Sequence, residues 1–284
     1  NHGTAPGAAL EKNGKCVIIL PGPPGELVPM FNESVRGFLK KYSDGAIVSH
    51  TVNIIGMGES SVAEEIEDMF DAKNPTVAPY AKSGEVRLRI TAKAETADDA
   101  DKMCAPVVDE ICSRLGDVVY GTDMNSIEER VVALLKEKGK KIATAESCTA
   151  GYIPKRLTDI PGASEVFECG IVSYSNDIKT KLLGVSPKTL ETYGAVSERT
   201  AREMALGAKH VSGADIAIST TGLAGPGGDG VLPGGLSFAA VTDGERTVVE
   251  KIVTGHENDR EYNRYVTASR ALNLARLMLE EKIK

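Results

Sequence analysis

Between residues 47 and 55 apolar and polar positions alternate, the two-residue period of a strand with one buried face. Residues 60–70 switch to helical spacing, with Val62, Ile66, Met69 and Phe70 on one stripe. Residues 77–80 and 85–93 flank Lys82-Ser83-Gly84 and predict a hairpin. In its second strand Val86, Leu88 and Ile90 face one side, Arg87 and Arg89 the other. Thr96 before Ala97-Asp98-Asp99 reads as a helix N-cap followed by acids in the first turn. That helix runs to about Leu115, where Gly116 closes it, and residues 117–120 form a last short strand. The order β-α-β-β-α-β predicts a small α+β domain over residues 45–122.

The flanking patterns are different. Residues 3–7 are rich in turn formers, residues 15–20 form an apolar strand, and Pro21-Gly22-Pro23-Pro24-Gly25-Glu26 reads as a loop. Residues 27–40 read as a helix. One strand and one helix cannot bury a core, so residues 1–44 are expected to be the tail of a domain whose beginning is absent. From residue 123 to 284 helices alternate with apolar strands. Asn125/Ser126 caps a helix over 127–138 that ends at Gly139, and a strand follows over 140–145. Further strands are expected at 167–174, 216–221, 236–242 and 247–253, with a long amphipathic helix over 260–281. This is the pattern of a three-layer α/β/α domain, whose site belongs beyond the carboxyl ends of the strands.

Composition narrows the function classes. The 284 residues, 42% hydrophobic, suffice for two compact domains or one domain with a smaller companion. Net charge is −7 and no dense Lys/Arg cluster occurs, which argues against a nucleic-acid partner. No apolar run nears the ~18 residues of a membrane span, and residues 1–20 lack the pattern of a secretory signal. A cytoplasmic protein is expected. Cys16, Cys104, Cys112, Cys148 and Cys169 are odd in number and include no C-x-x-C pair, the pattern of reduced thiols. His2, His50, His210 and His256 are scattered, so neither a metal nor a cofactor is expected.

Four places could carry chemistry. Ala145-Glu146-Ser147-Cys148-Thr149-Ala150-Gly151 lies where a strand hands over to a helix, and the N–H groups of the helix start could hold a developing negative charge. Ser147 and Cys148 compete as nucleophile; spacing alone favours a helix cap beside a small core residue. A serine needs a base. Neither His210 nor His256 sits at a strand end, whereas Lys179 and Lys181 follow the loop 173–177, and a shielded lysine can lose its proton near neutral pH. A solvated surface charge is the plainer reading of either lysine. The glycine-rich Thr220-Thr221-Gly222-Leu223-Ala224-Gly225-Pro226-Gly227-Gly228 lets backbone approach a ligand, though a surface loop fits as well. Arg260 and Arg264, one turn apart at a helix start, suit an anion, or an ion pair of Arg260 with Glu257 or Glu261.

Together the strings AESCT (145–149), LTDIPGAS (157–164), YSNDIK (174–179), LGV (183–185), YGAVSE (193–198) and TGLAGPGG (221–228) resemble the CinA family, the competence/damage-inducible proteins. GTAPG (3–7) and LPGPPGE (20–26) resemble that family's N-terminal molybdopterin-binding-type domain, and the middle segment its KH-like domain. Gly56-Met57-Gly58 is not a GXXG loop, so RNA binding is not expected.

The resemblance implies that residues 123–284 hydrolyse nicotinamide mononucleotide (NMN) to nicotinate mononucleotide and ammonia. Ser147 would be nucleophile and Lys179 its base; Tyr174 and Thr221 would line the amide or support the pair. Arg260 or Arg264 would assist, since the register around residues 256–259 is altered. The loop Gly222, Ala224, Gly225, Gly227 and Gly228, with Thr149, would take the phosphate. A homodimer is implied. Ala150, where the family commonly has glycine, and Pro154, early in the next helix where it should kink or delay it, depart from the pattern. They leave a non-catalytic nucleotide-binding module as the alternative; a complete front domain would instead imply an ADP-ribose pyrophosphatase.

Overall fold

Residues 8–19 form a hairpin rather than the single strand expected. Strand β1 (Ala8–Lys12) pairs antiparallel with β2 (Lys15–Ile19) around Asn13 and Gly14, both at positive φ. The sequence of β1, Ala-Ala-Leu-Glu-Lys, has no β-branched residue and all five positions are exposed, so it carries no strand signal. The helix that follows starts earlier than expected: α1 (Pro24–Met30) accepts Pro24 in its first turn, where a missing N–H costs nothing. After Pro29 the ladder widens over Phe31–Val35 before α2 (Arg36–Leu39). The computed structural model describes residues 3–42 and 44–283. Asn1, His2, Ser43 and Lys284, on which parts of the expected end segments fall, lie outside the described residues. Two compact units emerge: residues 1–48 with 93–102, and residues 49–92 with 103–284.

The middle segment has the expected element order: β3 (Ala46–Ile55), α3 (Glu59–Glu65), β4 (Thr76–Lys82), β5 (Glu85–Ala94), α4 (Ala97–Leu115) and β6 (Val119–Thr122). Its sheet runs β4-β5-β3-β6. Helix α3 is shorter than its apolar stripe predicts. Ile66 leaves helical dihedrals at φ −128° and is fully buried, and one tight turn over Glu67–Met69 follows.

The last segment comprises α5 (Ile127–Lys138), β7 (Ile142–Glu146), α6 (Tyr152–Thr158), β8 (Phe167–Val172), α7 (Asn176–Leu183), α8 (Pro187–Tyr193), α9 (Glu198–Ser212), β9 (Ile216–Gly222), β10 (Leu236–Thr242), β11 (Thr247–Val253) and α10 (Arg260–Leu279). The Ser126 hydroxyl caps α5 by accepting from the Glu129 N–H, and Gly139 closes it at φ 60°. The five strands form a mixed sheet ordered β11-β10-β9-β7-β8. Strand β7 is parallel to both β8 and β9, while β10 is antiparallel to its neighbours.

Alternation within the central strands sorts the two helical layers. Ile142, Ile216 and Ile218 pack into one core with α5 and α10. Ala143, Ala145 and Ala217 face the other, with Leu183 of α7 and Met204 and Ala208 of α9. The alanine face lets the second layer come close. At Gly207 an added Cβ would sit 1.9 Å from the Leu183 carbonyl oxygen, so α9 meets the end of α7 backbone to backbone. Because β7, β8 and β9 run parallel, the turns after all three emerge at one edge of the sheet. Among the described residues no helix is long and apolar enough to cross a membrane.

Candidate active site

Ser147 follows β7 directly, and its N–H donates to the Thr220 carbonyl of β9 at 2.9 Å. That bond fixes the turn at Ser147 to the central pair of strands. The turn then passes through Ala150 and Gly151, at φ 49° and 86°, into α6. A left-handed alanine costs roughly 1 kcal/mol, which glycine would avoid. Helix α6 starts at Tyr152, so Pro154 occupies its third position, where the ladder requires no N–H donor.

Lys179 reaches the same edge from the first turn of α7, whose N-cap Ser175 accepts from the Ile178 N–H. Its Nζ lies 3.1 Å from Ser147 Oγ, 2.8 Å from the Ser173 carbonyl and 3.5 Å from the Tyr174 carbonyl. Those partners are a hydroxyl and two carbonyls, all neutral. The side chain is 1% exposed, and burial pushes the amine below the ordinary lysine range. If the amine gives up its proton, two N–H bonds remain for the two carbonyls and a lone pair for the Ser147 hydroxyl. Lys181, the other candidate base, is exposed.

Cys148 separates from Ser147 by environment. It is 5% exposed, and burial pushes its thiol up to about 12, so it is protonated at neutral pH. Glu146, fully buried, turns back under the turn and accepts from the Ile153 N–H at 3.2 Å. Burial raises its pKa. The expected free amides at the helix start are thereby partly engaged by a side chain of the protein itself. The Thr149 hydroxyl meets that of Thr220 at 2.6 Å, both buried, and ties the turn to β9 a second time.

The remaining sequence candidates divide into two sets. Arg260 Nη1 donates to the Gly225 carbonyl at 2.8 Å and Nη2 to Tyr174 Oη at 3.2 Å. It therefore spans the glycine loop and the YSNDIK loop instead of pairing with Glu257 or Glu261. Tyr174 is 62% exposed, a side chain in reach of solvent at the mouth of the site. Arg264 instead donates to the Thr149 carbonyl at 2.7 Å, in the turn that follows Ser147. The Thr221 hydroxyl donates to the Ala195 carbonyl at 2.6 Å and anchors the YGAVSE loop.

In the glycine loop the Leu223 N–H donates to the Leu236 carbonyl and the Gly227 N–H to the Glu257 carbonyl. Gly225 permits close approach of its own loop: an added Cβ would lie 2.4 Å from the Glu257 carbonyl oxygen. Gly222 and Gly228 are similarly confined, by Ser237 and by the Leu232 carbonyl, and Ala224 is buried. Sequence reasoning missed Asn263. Its Nδ2 donates to the Ala224 carbonyl at 2.9 Å and the His256 carbonyl at 2.6 Å, joining the loop to α10. Its only sequence signal was polarity at a buried position of the closing helix.

Comparison with known proteins places these features. The family model described as "CinA C-terminal domain" matches residues 124–279, and that described as "Damage-inducible protein CinA KH domain" matches residues 49–121. The chain is 53% identical over 261 residues to a putative competence-damage inducible protein of Clostridium beijerinckii, covering 91% of this chain and 64% of that protein. It is 46% identical over 277 residues to a CinA-like protein of Desulfovibrio desulfuricans, covering 96% and 65%. The chain thus spans less than two thirds of the length of these relatives. Among solved structures, the competence/damage inducible protein CihA from Agrobacterium tumefaciens aligns at a TM-score of 0.52 with 38% identity, over 54% of this chain and 93% of that one.

Proposed function

The chain belongs to the CinA family, and from that premise we propose that its C-terminal domain is a nicotinamide-nucleotide amidase working through Ser147 and Lys179. The observation that carries the reading is the buried, neutral-partnered Lys179 amine 3.1 Å from the Ser147 hydroxyl. As Ser147 Oγ bonds to the carboxamide carbon of NMN, its proton passes to Lys179 Nζ. The tetrahedral intermediate collapses by breaking the C–N bond, Lys179 returns the proton to the departing nitrogen, and ammonia leaves. Water then adds to the acyl-serine with Lys179 again as base, and nicotinate mononucleotide is released with Ser147 restored.

Arg260 is the arginine at the mouth in this reading, with Tyr174 beside it and the glycine loop at 222–228 receiving the 5′-phosphate. Arg264, Thr221 and Thr149 act as supports of the turn and loops. Lysine-general-base chemistry without a charged partner is the feature a merely binding module would not need.

Ammonia release from NMN tests the proposal. The parent and Cys148→Ala should turn over, and Ser147→Ala should lose at least about a hundredfold, the usual scale for loss of a nucleophile or base. Saturable NMN binding without turnover in the parent would instead establish a binding module. Full activity in Ser147→Ala would remove the serine assignment.

A further inference from the structure

We propose that Glu85, on the hairpin of the middle segment, is a positioning residue for the Ser147 site. The proposal rests on the amidase reading above. Glu85 is 5% exposed, and each of its oxygens accepts one tyrosine hydroxyl: Oε2 from Tyr120 of β6 at 2.9 Å, Oε1 from Tyr265 of α10 at 3.3 Å. It is thus one carboxylate shared by the middle sheet and the closing helix. The hairpin tip is seated on that helix as well. Gly84, at φ 69°, lies close against it: an added Cβ would be 3.0 Å from Val266 Cγ2.

From Tyr265 the contacts lead to the nucleophile. Its ring meets the Tyr152 ring edge-on, centroids 6.3 Å apart at 70°, and the Arg156 guanidinium stands 4.7 Å over it. Tyr152 is the first residue of α6, the helix that follows the Ser147 turn. The guanidinium of Arg264, the neighbour of Tyr265 in sequence, lies 5.6 Å from the Tyr152 ring centroid and donates to the Thr149 carbonyl at 2.7 Å. Thr149 is two residues beyond Ser147. Burial and the nearby Glu85 charge push the Tyr265 hydroxyl up to about 12, so it remains a donor throughout the neutral range.

Without the Glu85 carboxylate, the half-buried Tyr265 Oη loses this acceptor and the ring turns to find another. Tyr152 and Arg264 then lose the surface that orients them, and the Ser147 turn loosens. Small misplacements of a reacting group cost rate rather than binding. A purely structural Glu85 would lower the melting temperature and leave turnover unchanged.

The test uses the full chain and reads both NMN deamidation and amide hydrogen exchange. Glu85→Ala is expected to lower kcat about tenfold with KM within about twofold, and Glu85→Gln, which keeps one acceptor, to recover part of it. Tyr265→Phe should lower kcat similarly, and the double variant Glu85→Ala/Tyr265→Phe should be no worse than Glu85→Ala alone. Exchange at residues 147–153 should quicken in Glu85→Ala while α9 is unchanged. A folded Glu85→Ala with parental kcat, or with unchanged exchange at 147–153, overturns the proposal. If Glu85→Ala does not fold, Tyr265→Phe takes its place: lowered kcat with quicker exchange at 147–153 supports the proposal, and parental values of either overturn it. A parent that releases no ammonia, or a Ser147→Ala variant as active as the parent, defeats the amidase reading instead, and the exchange arm still decides the role of Glu85.

Discussion

A lysine amine in water is protonated up to about pH 10.4, and a protonated amine cannot take the Ser147 proton. Lys179 is lowered from that value by burial. The acid limb of kcat/KM for NMN is therefore expected to rise with pH and level off at a midpoint below the ordinary lysine value; a midpoint at or above it would contradict the base assignment. Lys179→Arg, whose guanidinium stays protonated, should lose at least about a hundredfold in kcat. Stability runs the opposite way. With the folded-state pKa below the unfolded one, the unfolded chain binds more protons between the two values, so burial of Lys179 costs stability below that window and the cost fades as pH rises through it. Lys179→Met is thus expected to melt higher than the parent at pH 7 while being inactive. Ser147 and Lys179 could be read from the sequence because their side chains belong to recognisable strings. The Ser173, Tyr174 and Thr220 carbonyls that hold them could not, since a backbone acceptor leaves no mark on residue type.

Helix α6 shows how an element absorbs an unfavourable residue. Pro154 rests over Gly170 of β8, where an added Cβ would lie 2.7 Å from Pro154 Cγ and 3.1 Å from Thr144 Oγ1. Gly170→Ala should therefore cost about 1–3 kcal/mol, read from denaturant unfolding. Adding Pro154→Ala should recover much of it; additive losses would mean the clash lies elsewhere. The same scale separates legible from illegible elements. Strands β3, β9 and β10 carried long apolar or alternating runs and were legible. The exposed β1 had no such pattern, and α3 stopped early because Ile66 is buried by leaving the helix rather than by continuing it.

Across the larger unit, the middle sheet and the C-terminal domain are tied through α10. Arg276, fully buried, donates to the Asp117 carbonyl at 2.6 Å and the Val119 carbonyl at 3.2 Å, and pairs with Glu280 at 2.9 Å. Removing Arg276 leaves the Asp117 and Val119 carbonyls without this donor, while Glu280 keeps its pair with Arg130. Arg276→Ala is expected to cost about 3–5 kcal/mol and to split one thermal transition into two. A single transition at the parental temperature would show that the tie carries no stability. The two carbonyl contacts of Arg276 were not legible in the sequence, because each joins residues far apart along the chain and its acceptor is backbone.

The meeting of Gly207 with the Leu183 carbonyl bears on how the proposed amidase could be retuned. Leu183 lies one turn beyond Lys179 on α7, so the depth at which α9 rests against that carbonyl also sets the reach of the amine. A methyl group at position 207 would force α9 and the end of α7 to shift, and on the proposed reading would move the base relative to the serine. Saturation libraries aimed at the pocket wall would never sample that spacing. A library at position 207 of α9, in the same helical layer as α7, would sample it directly.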